Sequence, residues 1–162
     1  MNHTKIVVLL ALLFVTGCVS SETSFDGEPL TLMEQYVTLN NGTEPAYANE
    51  YWNNEEPGIY VDVISGEALF SSTHKYDSET GWPSFYRVLN DTKTEEYIDT
   101  SLTQQRIGLK GAESRAHLGH VFDDGPEPTG KRYCMNSAAL DFIPKEELVE
   151  EGYEQYLYLF EE

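Results

Sequence analysis

Gly58-Ile59-Tyr60-Val61-Asp62-Val63-Ile64, then Ser65-Gly66, then Glu67-Ala68-Leu69-Phe70 is the stretch that decides the fold. The first run is β-branched and aromatic, the second is short and apolar, and the Ser-Gly pair between them is a turn signal, so a β-hairpin is expected over 58–70. Runs of the same kind recur at 94–98, 117–122, 132–136 and 139–143. Asp123-Asp124-Gly125-Pro126 and Pro128-Thr129-Gly130 are turns between them, and Asn40-Asn41-Gly42 is another. Helix is expected only at the borders. Thr31-Leu32-Met33-Glu34 has capping-box spacing and starts a short helix through Tyr36. Residues 145–151, between Pro144 and Gly152, read as a closing helix. Many short strands with little helix make a mainly β domain.

The chain has 162 residues, 28 acidic against 10 basic, for a formal net charge of -18. That length allows one domain with a tail. Apolar residues at 40% and aromatics at 12% suffice for a packed core and exclude a disordered acidic chain. The charge argues against nucleic-acid binding, which needs clustered Lys and Arg. It also opposes docking on an anionic membrane by charge alone. Two cysteines exclude both a four-thiolate zinc cage and a disulfide framework.

The N-terminus reads as an address. Lys5 is the only charged side chain in residues 1–17, and 6–15 is an unbroken apolar run, suited to a signal-peptide core and too short to span a bilayer. The run ends Val15-Thr16-Gly17-Cys18, which resembles the lipobox of exported lipoproteins. That resemblance implies cleavage before Cys18, lipidation of its thiol, and a membrane-anchored protein on the outer side of the cytoplasmic membrane or in the periplasm. The alternatives are ordinary signal cleavage or an uncleaved anchor. The expected organisation is a signal peptide at 1–17, a tether at 18–29 and one domain at 30–162. Cys134 would then be the only free thiol.

Four features carry chemistry. Arg132 lies two residues before Cys134 on a strand, so the two share a face and the guanidinium can lower the thiol into the reactive range. The alternative is a buried, inert cysteine. His117-Leu118-Gly119-His120 offers two histidines that are metal ligands, a proton-transfer pair, or unrelated surface residues. Trp82-Pro83 sets a large ring on a rigid turn, either capping the core or walling a small apolar pocket. Asn136 can bond a bound molecule or merely satisfy a strand edge.

In order along the chain, these residues closely resemble the B-type methionine sulfoxide reductases, the peptide-methionine (R)-S-oxide reductases. The resemblance runs from about Leu32 to Tyr153. Its most specific blocks are Gly81-Trp82-Pro83-Ser84-Phe85, His117-Leu118-Gly119-His120-Val121-Phe122 and Arg132-Tyr133-Cys134-Met135-Asn136-Ser137. It implies a mainly β fold of two antiparallel sheets with small flanking helices. It implies an oxidoreductase in which Cys134 is the nucleophile and passes through a sulfenic acid. His117 and His120 form the active-site pair, one donating a proton or positioning a water. Trp82 packs on the substrate methyl group, and Arg132 and Asn136 sit beside the nucleophile. The substrates implied are oxidised peptides and proteins carrying the R sulfoxide, the role is repair under oxidative stress, and the enzyme is a monomer with no resident cofactor.

The departures from the family pattern are informative. Many relatives hold a structural zinc with two Cys-x-x-Cys pairs, whose places fall here on Asp62, Ser65, Gly111 and Ser114, so a zinc-free domain is expected. Thr80 stands where some relatives carry a resolving cysteine. A one-cysteine cycle is therefore expected, recycled by an external thiol such as thioredoxin or dithiothreitol. Arg106-Ile107-Gly108 replaces the usual Arg-Thr-Glu, which removes the family's acidic residue. The competing reading is an anchored lipoprotein that binds sulfoxide peptides without turnover.

Overall fold

The computed structural model describes residues 23–89 and 94–161. The expected signal peptide and Cys18 lie outside the described residues. The hairpin forms as expected, with β1 (Gly58–Asp62) antiparallel to β2 (Ala68–Ser71) and Gly66 in the turn at φ 71°. That positive φ suits glycine, which has no Cβ to clash. β1 also pairs with β9 (Leu140–Pro144), giving a three-stranded sheet of order β2-β1-β9. Every residue of β1 is buried. Ile59 and Val61 pack with Ile143 and Leu148 on one face, while Tyr60 joins the main core on the other. Burial on both faces is why the run is continuously apolar instead of alternating.

The second sheet holds six strands: β3 (Lys75–Tyr76), β4 (Ser84–Phe85), β5 (Thr94–Asp99), β6 (Arg106–Gly111), β7 (His117–Phe122) and β8 (Arg132–Met135). Their order is β3-β4-β8-β7-β6-β5, and all pairings are antiparallel. The sheets meet over an aromatic core. Phe70 stacks on Phe85 with centroids 4.4 Å apart, and Tyr60 meets Phe85 edge-on at 5.0 Å. The architecture is thus mainly β, two antiparallel sheets with small flanking helices.

The helix α1 (Leu32–Thr38) opens on a complete capping box, in which Glu34 N–H donates to Thr31 Oγ1 at 3.2 Å and Thr31 N–H to Glu34 Oε2 at 2.6 Å. It continues past Tyr36 because Val37 is fully buried in the core. The closing helix expected over 145–151 is not formed. Lys145–Glu147 makes a single 3-10 turn, and the longer 3-10 segment, Glu154–Phe160, follows Gly152. Leu148 is fully buried while Val149 is exposed, so 145–151 has one anchor and no apolar stripe to hold an α-helix. Within the segment read as a tether, Phe25 packs on the second core cluster and its N–H donates to Val63 O at 2.9 Å. Among the described residues, no helix is long and apolar enough to cross a membrane.

Candidate active site

The larger sheet lays out the site one residue per strand. Tyr76 pairs with Ser84, Ser84 with Cys134, Cys134 with His120, His120 with Gly108, and Gly108 with Tyr97. Directly opposed residues share a face, so the row crosses all six strands on one side of the sheet. His117 should not belong to it, because residues three apart on a strand point to opposite faces. The β6–β7 register slips between Leu109 and Lys110: Leu109 pairs with Gly119 but Lys110 with His117, leaving Leu118 as the extra residue. This bulge turns His117 toward His120, and the rings meet edge to face with centroids 5.2 Å apart.

Cys134 is half-buried at a cavity of about 140 Å³. Trp82 and Phe122 supply its apolar wall, and Thr43, Thr80, Arg106, His120, Arg132, Met135 and Asn136 complete the lining. The Trp82 ring is fixed by its Nε1–H, which donates to Glu44 O at 3.0 Å. His117 does not line the cavity; it packs against the His120 ring with 1% of its surface exposed. Of the six domain residues expected at the site, the structure therefore gathers Cys134, His120, Arg132, Trp82 and Asn136 at one cavity and places His117 one ring deeper.

Burial pushes the Cys134 thiol above its ordinary value, and this outweighs the opposing pull of the Thr80 hydroxyl, the Arg132 guanidinium and the Ser84 hydroxyl. The expectation that Arg132 brings the thiol into the reactive range thus needs correcting: the pull exists and is not dominant. Arg132 is already neutralised by Asp124, with Nε to Oδ1 and NH2 to Oδ2 both 2.8 Å, and it lies over the Phe122 ring at 4.2 Å. That fork fixes its position. A chain of hydroxyls approaches the sulfur from the other side. Ser84 Oγ is 2.7 Å from Ser78 Oγ, which is 2.8 Å from Thr80 Oγ1, itself 3.9 Å from Cys134 Sγ.

The two histidines are held differently. His120 Nε2 lies 2.7 Å from Asp99 Oδ2, which also accepts from Arg106 at 2.8 Å. Bonds from Ser101 and then His120 hold the Asp99 carboxyl well below the usual range, so it is an anion. Burial lowers the His120 pKa despite that anion. Burial, with His120 nearby, lowers His117 to about 4. Both rings are therefore mainly neutral near pH 7.

Asn136 is committed to the fold. Its Nδ2 donates to Leu118 O at 3.1 Å, and its Oδ1 accepts from Glu44 N–H at 3.1 Å. It borders the cavity as a brace. Glu44 is the residue that reading the sequence misses. Its buried carboxylate accepts from the backbone N–H groups of Ser137 and, at 3.0 Å, Ala138, capping the 3-10 turn (Ser137–Ala139) that follows β8. Ninety-three positions separate Glu44 from Ser137, so nothing local in the sequence marks the contact.

The four positions that hold zinc thiolates in many relatives do converge. Asp62 Oδ1 accepts from Ser65 N–H at 3.3 Å and Ile64 N–H at 2.9 Å, and Ser114 Oγ donates to Asp62 Oδ2 at 2.5 Å. A Cβ on Gly111 would overlap both Asp62 and Ser114. One fully buried carboxyl, two hydroxyls and a glycine do not fit a tetrahedral zinc site. Among the described residues, no group of three or more His, Cys, Asp or Glu side chains is placed to hold a metal ion.

One face of the larger sheet thus sets Cys134, Arg132 and His120 beside a small cavity with an apolar wall, a candidate thiol-centred site. The SelR domain model matches residues 30–144. The chain is 56% identical over 131 residues to a protein of Vibrio cholerae serotype O1 named peptide methionine sulfoxide reductase MsrA/MsrB. That match covers 81% of this chain and 35% of the relative, so the chain spans about a third of that protein's length. It belongs to the SelR domain family, the B-type methionine sulfoxide reductases.

Proposed function

We propose that the domain reduces methionine R-sulfoxide in peptides and proteins. The observation that carries this reading is the meeting of Cys134, His120, Arg132 and Trp82 at one small cavity. Trp82 and Phe122 would receive the methyl and methylene groups of the sulfoxide, leaving its oxygen toward the polar side. The Cys134 thiolate attacks the sulfoxide sulfur, and the S–O bond breaks with proton delivery from the histidine side. Methionine leaves and Cys134 becomes a sulfenic acid, conserving oxygen and electrons. Two equivalents of an external thiol then return Cys134 to the thiol, giving a disulfide and water. Thr80, whose hydroxyl lies 3.9 Å from the sulfur, offers no second thiol there, which supports recycling by an outside thiol.

The lipobox at Cys18 supports an exported, lipid-anchored protein that repairs oxidised proteins outside the cytoplasm. Cys18→Ala should then remain active while leaving the membrane fraction. The burial that raises the Cys134 thiol favours the second reading, binding without turnover. One assay separates the two: turnover of each sulfoxide epimer of a methionine peptide with dithiothreitol. Reduction of the R form, abolished in Cys134→Ser, is expected. Folded protein that binds the peptide and leaves it oxidised would overturn the reductase reading.

A further inference from the structure

The cross-strand row does not stop at His120. Gly108 lies next to it on β6, and Tyr97 lies next to Gly108 on β5. A Cβ on Gly108 would overlap the Tyr97 ring, so the phenol occupies the space a side chain at 108 would need. Laid flat across Gly108, Tyr97 reaches one residue further, and its hydroxyl is 3.0 Å from His117 Nδ1. Lys110 Nζ covers the ring at 4.6 Å from its centroid.

We infer that Tyr97 is a positioning residue for the reaction: its hydroxyl donates to His117 Nδ1 and so keeps the His117 proton on Nε2. This rests on the reductase reading above. A phenol O–H is a better donor than an imidazole N–H, and an imidazole nitrogen is a better acceptor than a phenol oxygen, so the proton between them belongs to Tyr97. Burial keeps Tyr97 in its protonated form and His117 neutral, with Lys110 and Arg106 adding to the effect on His117 and the Asp99 anion opposing it. His117 Nε2 is buried and has no hydrogen-bond partner among the described residues. His120 is the reverse case. Asp99 can only accept, so the His120 proton sits on Nε2 against it and the lone pair is on Nδ1. With both rings neutral, the pair holds one uncommitted N–H, on His117 Nε2. Tyr97 and Gly108 together determine where that proton resides.

The test uses the full chain. Tyr97→Phe keeps the ring over Gly108 and removes only the hydroxyl. Long-range ¹⁵N–¹H spectra of the imidazoles read the tautomers, and steady-state reduction of a peptide methionine R-sulfoxide with dithiothreitol reads kcat and KM. The wild type should show His117 solely as the Nε2–H tautomer. Tyr97→Phe should show a mixture at His117, an unchanged His120, a kcat about tenfold lower and a KM within about twofold. Gly108→Ala, which displaces the phenol, should reproduce both changes. An Nε2–H tautomer that persists in Tyr97→Phe, or an unchanged kcat, overturns the inference. A wild type that is folded and inactive on the R sulfoxide overturns the reductase reading instead, while the tautomer spectra still report on the Tyr97 bond.

Discussion

Replacing Glu44 by glutamine tests how the end of β8, the strand that carries Cys134, is held. The Glu44 side chain is 4% exposed, and its two oxygens accept from the N–H groups of Ser137 and Ala138. Glutamine has nearly the same shape but one acceptor oxygen, so one buried N–H would face an NH2 group. An unsatisfied buried donor costs about 1–3 kcal/mol, and the bond that remains loses its charge assistance. Against this, the neutral amide no longer buries a charge, and burial is the main cause that pushes the Glu44 pKa up. The net is a destabilisation of about 2 kcal/mol, or about 6 °C in Tm at roughly 3 °C per kcal/mol for a domain of this size. Because Ser137 and Ala138 directly follow the Cys134–Asn136 segment, kcat/KM for the R-sulfoxide peptide should fall about tenfold as well. Circular dichroism melts and the dithiothreitol-coupled assay measure the two effects, with Glu50→Gln, at an exposed carboxylate, as control. A Glu44→Gln protein melting within about 1 °C of wild type would show the capping argument to be wrong. A lower Tm with full activity would limit Glu44 to stability.

Arg132→Lys keeps a cation but cannot reproduce the two-bond fork to Asp124, so the Cys134 thiol pKa should rise further and alkylation by iodoacetamide at fixed pH should slow; an unchanged alkylation profile would remove Arg132 from thiolate stabilisation. Asp62 sits above its ordinary pKa of 3.8, chiefly because it is buried, so the folded chain holds its proton more tightly than the unfolded one. Its contribution is full below the unfolded value and is lost as pH rises through the raised folded value, so Asp62→Asn should flatten the decline in stability that sets in as pH rises above the ordinary value of 3.8; equal slopes in urea melts would refute this. Gly119 admits no Cβ, because one would overlap the Cys134 carbonyl across β7 and β8, so Gly119→Ala should cost about 2 kcal/mol and most of the activity; a normal melt would contradict that close approach. Dialysis against EDTA should leave Tm unchanged, and a fall would indicate a metal that the Asp62–Ser114 pair does not explain.

Elements with a strong local signal were legible in advance. The 58–70 hairpin, the Thr31 capping box and the runs that became β7 and β8 announce themselves by turn residues, spacing and β-branched or aromatic content. β6 does not, because Gly108, Lys110 and Gly111 give it little strand propensity. Two of those residues are glycines for tertiary reasons, one admitting Tyr97 and the other Asp62 and Ser114. β3 and β4, two residues each, are too short to show any period. At the site, Cys134, Arg132, Trp82 and His120 stood out by chemical type. The place of His117 did not, since a spacing of three on a regular strand predicts the wrong face and only the bulge at Leu118 corrects it. Asn136 was legible as a site residue, and its structural commitment to Leu118 and Glu44 was not.

The row from Tyr76 to Tyr97 has a consequence for how the protein comes to life after synthesis. Each group in it arrives on a different strand, and their order in space, β3-β4-β8-β7-β6-β5, is not their order along the chain. β8 follows β7 directly and pairs with it as a local hairpin, but its other edge must pair with the distant β4, so Cys134 meets Ser84 only after a non-local pairing closes, and such pairings form slowly. Recovery of turnover after dilution from denaturant should therefore trail the return of the β-sheet signal. Until then the chain carries an ordinary, uncaged thiol.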